Sequence, residues 1–131
     1  MKKVSIIIPV YNESKTLGNF YHELEKYQDE GIEYEIVFVD DGSVDDSLKI
    51  IKKYSNTDSR IRYISLKQNY GQQTALFVGL KYCSGHAAIV LDCDLQDPPS
   101  LIPQMIEKWR NGDQIVLPER ISRKDKKNKI L

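Results

Sequence analysis

The sequence predicts a three-layer α/β fold in which a mostly parallel sheet lies between two layers of helices. Three observations carry that expectation. Short runs rich in β-branched residues recur along the chain and are apolar almost throughout, which suits strands buried on both faces. Segments of helical periodicity separate them, and strand alternating with helix means parallel pairing. Clusters of acidic and polar residues directly follow the runs, where open parallel sheets bind their ligands.

Residues 4–8 read as the first strand, stopped by Pro9. A helical pattern starts at Ser14 and puts Leu17, Phe20, Tyr21 and Leu24 on one face. Gly31 separates it from a second strand, 34–39, which ends on Asp40-Asp41-Gly42-Ser43. The next helix begins near Ser43 or Asp45, with Leu48, Ile51 and Tyr54 as its apolar face. Asp45 and Asp46 suit the positive end of that helix. A third strand spans 61–66, Asn69-Tyr70-Gly71 turns, and a helix runs over 72–82. The fourth strand is 87–91. Pro98 and Pro99 open a helix over 100–110, because proline is tolerated in a first turn. Residues 115–117 read as a short fifth strand, and the last ten or so as irregular.

The 131 residues suit one domain, and 40% apolar with 29% charged residues is ordinary globular composition. Net charge is zero, but unevenly spread. From Arg120 onward six basic residues (Arg120, Arg123, Lys124, Lys126, Lys127 and Lys129) meet one acid, Asp125, so the tail carries +5 and the rest −5. Such an end is either a solvated terminus or a contact for an anionic partner. Two cysteines, Cys83 and Cys93, make neither a disulfide framework nor a zinc pattern, so a reduced, intracellular protein is expected. No stretch approaches the ~20 apolar residues of a membrane span. The start, MKKVSIIIPVYNE, has too short an apolar run for a signal peptide and reads as a buried strand.

Asp92 and Asp94 follow the fourth strand one residue apart. Within a regular strand they would face opposite ways, but where the backbone turns both can reach one cation. Carboxylate oxygens suit Mg²⁺ or Mn²⁺, with Gln96 as a further oxygen and substrate phosphates completing the shell. The competing reading is of loop and helix-cap residues. Asp40 can accept from a ribose or base, or Asp40 to Ser43 are simply a turn and a cap. Tyr11 can stack on a base and Glu13 can bind a base N–H or a ribose, or the Pro9–Glu13 stretch is a turn in which Asn12 and Ser14 cap a helix. The glycine-rich fingerprints of nicotinamide enzymes and P-loop proteins are absent. A receiver-like signalling domain is also set aside, since Ser65-Leu66-Lys67 offers no phosphoacceptor aspartate. His22 and His86 have no partner spacing and are assigned no role.

Together VSIIIPVYNE, VFVDDGSVDDS, NYGQQTALFVGLKYCSG and LDCDLQDPP closely resemble the family 2 glycosyltransferases of GT-A fold, a Rossmann-like architecture. The resemblance runs from Val4 to about Arg120. It is strongest to the polyprenyl-phosphate branch, which includes dolichyl-phosphate mannose synthase and the undecaprenyl-phosphate glycosyltransferases. Cys93 stands where alanine is common, and Pro118-Glu119 where small residues are usual. The resemblance implies that Pro9, Tyr11, Asn12, Glu13, Phe38, Asp40, Asp41, Asp92 and Cys93 lie along the nucleotide-sugar. It implies that Asp92, Asp94 and Gln96 hold a divalent metal, and that Asp94 and Arg120 act in catalysis.

The family reaction transfers a sugar, with inversion, from a nucleotide diphosphate to an acceptor. The expected donor is a UDP-sugar and the expected acceptor a polyprenyl phosphate. No nucleic-acid partner is expected. The alternatives are a glycosyltransferase acting on a polysaccharide or glycan hydroxyl, and a nucleotide-binding module without catalysis. The resemblance divides the chain into a donor-binding part, 1–120, and a basic end, 121–131. It also makes the chain look truncated, with the acceptor half and any membrane helices beyond it. The basic tail would then lie at the cytoplasmic face of the membrane. A truncated sheet leaves an edge or apolar patch open to homodimer formation.

Overall fold

The computed structural model describes residues 2–29, 31–94, 96, 98–112, 116–117 and 129–130. Its main sheet has four parallel strands in the order β3-β2-β1-β4. These are β1 (Lys2–Val10), β2 (Ile32–Asp40), β3 (Ile61–Ser65) and β4 (Ala87–Val90). The connecting helices are α1 (Leu17–Lys26), α2 (Ser47–Thr57) and α3 (Gln72–Tyr82), and α4 (Ile102–Arg110) follows β4. Strand order reverses at β1, which pairs with β2 on one side and β4 on the other. The expected α/β class and parallel pairing are as found.

The strands are apolar throughout because both faces are covered. Even-numbered Val4, Ile6, Ile8 and Val10 of β1 join Leu17, Phe20 and Leu24 of α1, Ile51 of α2 and Ile102 of α4 in the larger core. Ile7 points the other way and meets Val37, Val39 and Ala75 of α3. Each fully buried Ile, Leu or Phe contributes roughly 1.5–3 kcal/mol by leaving water. Tyr21, on the expected face of α1, stacks on Tyr54 of α2 with ring centroids 4.3 Å apart.

Several boundaries differ from expectation for local reasons. Pro9 does not stop β1, which continues to Val10. The Ile7 carbonyl accepts from Leu91 N–H, so odd residues of β1 bond towards β4. The absent N–H of Pro9 faces that side beyond Val90, the last paired residue, and breaks no ladder bond. The helix expected at Ser14 starts at Leu17, and the one expected at Ser43 or Asp45 starts at Ser47. The residues before them serve in ties between loops, described below, and Asp45 also accepts the N–H of Ser47 at 2.9 Å. Pro99–Leu101 form a single 3₁₀ turn ahead of α4. The fifth strand, β5 (Val116–Leu117), joins no parallel sheet and pairs antiparallel with β6 (Lys129–Ile130), within the stretch expected to be irregular. Among the described residues no helix is long and apolar enough to cross a membrane.

At the amino ends of the strands a buried acid, Glu35, locks three elements together. It accepts from Ser5 Oγ (2.5 Å), Ser84 N (2.8 Å) and Arg62 Nη1 (2.6 Å). Burial works against its charge, but these donors outweigh it and hold the carboxyl down at about 2. A folded value below the ordinary 4.5 means stability that is present above pH 4.5 and lost as pH falls towards 2. An acid titration of unfolding free energy should show that loss, and Glu35→Gln should flatten its slope in the same window while lowering stability at pH 7.

Helix α3 sits close to the sheet because Gly79 faces it. A Cβ on Gly79 would lie 2.5 Å from Ile7 Cγ2 and 3.2 Å from Val39 Cγ2. Gly79→Ala should therefore cost about 1–3 kcal/mol through overpacking, read as a lowered urea midpoint, although alanine is the better helix former.

Candidate active site

Open parallel sheets bind ligands beyond the carboxyl ends of their strands, at the point where strand order reverses. Here that point is the crevice between β1 and β4. A cavity of about 360 Å³ lies there, lined by Pro9, Tyr11 and Glu13 after β1 and by Asp92, Cys93 and Asp94 after β4. Asp41, Asn69, Gly71 and Gln72 complete its wall. A hollow of about 470 Å³ at the opposite end of the sheet is larger. Its arginines are already matched, Arg62 to Glu35 and Arg60 to Glu25 and Asp58, so the switch-point crevice is the better candidate.

Hydrogen bonds between loops build the crevice. Asn12, at φ +52°, takes the left-handed conformation that asparagine tolerates. Its N–H donates to Ser43 Oγ and its Oδ1 accepts from Val44 N–H, both at 2.9 Å. Glu13 N–H donates to Ser47 Oγ (2.8 Å), and Ser14 N–H to Asp45 Oδ2 (3.1 Å). The stretches after β1 and β2 are thus tied together. Gly42, at φ +73°, is required where the β2 loop touches the β3–α3 loop. A Cβ there would lie 2.3 Å from the Gln68 carbonyl carbon.

The adjacent acids Asp40 and Asp41 do different work. Asp41 accepts from Tyr70 N–H (2.8 Å), Gly71 N–H (3.0 Å) and Asn69 Nδ2 (3.1 Å). Both its oxygens are engaged in holding the β3–α3 loop, and Asp41 also lines the cavity. Asp40 is buried, with Oδ2 accepting from Ser43 N–H at 3.3 Å. Its Oδ1 is buried without a hydrogen-bond partner. A buried lone acceptor costs about 1–3 kcal/mol unless something donates to it.

After β4, Asp92 is buried and its Oδ1 accepts from Gln72 Nε2 at 2.7 Å. Asp94 is exposed, and its Oδ1 accepts the N–H of Gln96 at 3.0 Å. Burial, with the Glu13 and Asp94 charges adding, pushes the Cys93 thiol up to about 12. The thiol therefore stays protonated, and the donors offered to a cation are oxygens. Among the described residues no three His, Cys, Asp or Glu side chains cluster to hold a metal. A Mg²⁺-like ion needs only one or two carboxylates when substrate phosphates and water fill the remaining positions, and this donor set fits that case.

Of the expected site residues, Pro9, Tyr11, Glu13, Asp41, Asp92, Cys93 and Asp94 come together. Asn12 and Asp40 stand behind the wall in the loop network. Phe38 does not reach the cavity: it is wholly buried in the larger core beside Ile8 and Ile36, a correction that follows from its even position in β2. Arg120 lies outside the described residues. Asn69, Gly71 and Gln72 line the cavity without having been assigned roles. Their signal was present, since NYGQQ follows a strand as directly as the acidic segments do.

A parallel, doubly wound α/β sheet with an oxygen-rich crevice at its switch point defines the class. The family model described as Glycosyl transferase family 2 matches residues 5–130, and the chain belongs to that family. It is 44% identical over 121 residues to YkcC, an uncharacterised glycosyltransferase of Bacillus subtilis (strain 168), covering 92% of this chain and 38% of that protein. It is 41% identical over 122 residues to the bactoprenol glucosyl transferase of Shigella phage SfV, covering 92% and 40%. The chain thus spans about two-fifths of these curated relatives. Among solved structures it resembles S. aureus TarS in complex with UDP-GlcNAc. That match has a TM-score of 0.64 and 30% identity, over 79% of this chain and 32% of that one.

If Asp41 anchors the loop, Asp41→Ala should leave the N–H groups of Tyr70 and Gly71 without their acceptor and Asn69 Nδ2 with only the backbone carbonyl of residue 41. The expected cost is about 1–3 kcal/mol of stability by urea denaturation, without any ligand present.

Proposed function

We propose that this chain is the donor-binding part of an inverting glycosyltransferase that moves a sugar from a UDP-sugar to a polyprenyl phosphate. One observation carries the reading: the Asp92–Asp94 pair at the end of β4 shares a cavity with Tyr11 and Glu13 at the end of β1. Two relationships support the finer assignments. A relative at 41% identity is a bactoprenol glucosyl transferase, and a structure at 30% identity holds UDP-GlcNAc.

In this reading Tyr11 lies against the base, and Glu13 accepts a base N–H or a ribose hydroxyl. Asp92 and Asp94, with Gln96, hold a Mg²⁺ or Mn²⁺ ion against the diphosphate. Such an ion supplies Lewis-acid neutralisation of the charge that grows on the leaving group. Arg120, after β5, adds positive charge to the same group. A lipid phosphate is already anionic near neutral pH, so attack on the anomeric carbon needs no strong general base from this part of the chain. Residues 1–120 would make up the donor part. The basic residues from Arg123 to Lys129 would lie at the cytoplasmic membrane face, where each contributes roughly 1 kcal/mol.

Calorimetric titration with UDP and GDP, in Mn²⁺ and in EDTA, tests the site. UDP should bind only with Mn²⁺, and Asp92→Ala/Asp94→Ala should abolish that binding. Glu13→Ala should weaken UDP by about 1–3 kcal/mol while leaving the metal requirement intact. Equal UDP binding in EDTA and in the double variant would refute the metal-held donor.

A further inference from the structure

We propose that Gln72 is a positioning residue for Asp92, holding its carboxylate in the orientation that receives the cation. The inference rests on the donor-site reading above. Gln72 is the first residue of α3, and its Nε2 donates to Asp92 Oδ1 at 2.7 Å across the crevice. The two residues lie twenty apart in sequence and on different elements, so only the fold brings them together.

The backbone of Gln72 is fixed from both directions. On its amino side Asp41 grips Asn69, Tyr70 and Gly71, the three residues before it. Gly71, at φ +104°, turns the chain into the helix, and the position has open space around it. On its carboxyl side Ala75 and Gly79 are buried against the sheet. A side chain launched from so constrained a point delivers its amide to one place.

The chemistry of the donor matters as much as its position. A neutral amide fixes the rotation of the carboxylate without cancelling its charge, so Gln72 does not itself compete with a divalent cation. A lysine or arginine there would orient the acid equally well and repel the ion. Partners of this kind tune metal affinity by about 10–100-fold when removed.

Gln72→Met keeps length and flexibility and removes the donor. Gln73→Met, one residue further along the exposed start of the same helix, is the control. Mn²⁺ affinity at fixed UDP would be read from the free-ion electron paramagnetic resonance signal, and UDP binding in EDTA by calorimetry. The expected result is an Mn²⁺ affinity weakened about 10–100-fold in Gln72→Met alone, with no change in EDTA. Unchanged Mn²⁺ affinity in Gln72→Met, or an equal loss in Gln73→Met, would overturn the positioning role and leave the donor site standing. Absence of Mn²⁺-dependent binding in the unaltered chain would overturn the donor-site reading, and the role of Gln72 with it.

Discussion

The central strand imposes the main constraint. β1 has a strand on each side and helices over each face, so its backbone and side chains are sealed away from water along most of its length. Every polar backbone group there must be met by β2 or β4, which fixes the register of both neighbours. With the register fixed, the strand ends are fixed too. The residues after β1 and β4 then diverge from a shared base, and a crevice opens between them. The site exists because β1 cannot shift.

The loops around that crevice are short and polar, and each is tied to one remote in sequence. Asn12, Ser14 and Glu13 bond to the stretch 43–47, and Asp41 bonds to 69–71. The four acids divide the work by burial and partners. Asp41 spends its charge on backbone donors, and Asp40 holds one buried oxygen unmatched. Asp92 is oriented by an amide, and Asp94 stands exposed at the rim. Carboxylates of one type thus become scaffold, acceptor and candidate ion ligands.

Much of this was legible in the chain. Runs of Val and Ile announced strands buried on both faces, and the rule that ligands gather after strands pointed to Asp92 and Asp94 before any coordinates. What could not be read was which residue meets which across the sheet. Asp40 and Asp41 look alike in sequence, and only the position of Asn69 to Gly71 separates them. Phe38 was expected at the nucleotide, but alternation within β2 turns it into the core beside Ile36. Gln72 carries no distinguishing pattern, since its meaning comes from an acid twenty residues later. Helix starts are hidden in the sequence for a related reason. Ser43 and Ser14 resemble caps, yet they tie the two loops together, and Asp45 joins that tie while also accepting the N–H of Ser47 at the start of α2.

The close seat of α3 has a wider consequence. Gly79 rests against Ile7, and Gln72 lies seven residues earlier, about 10 Å along the helix axis. The helix is therefore a lever whose fulcrum is a missing side chain. Bulk added at the fulcrum would lift the far end by a fraction of an ångström, and the far end carries the amide that reaches Asp92. Packing in the smaller core and geometry at the crevice thus share one helix. A residue chosen for its lack of size governs how well an acid on another strand is aimed.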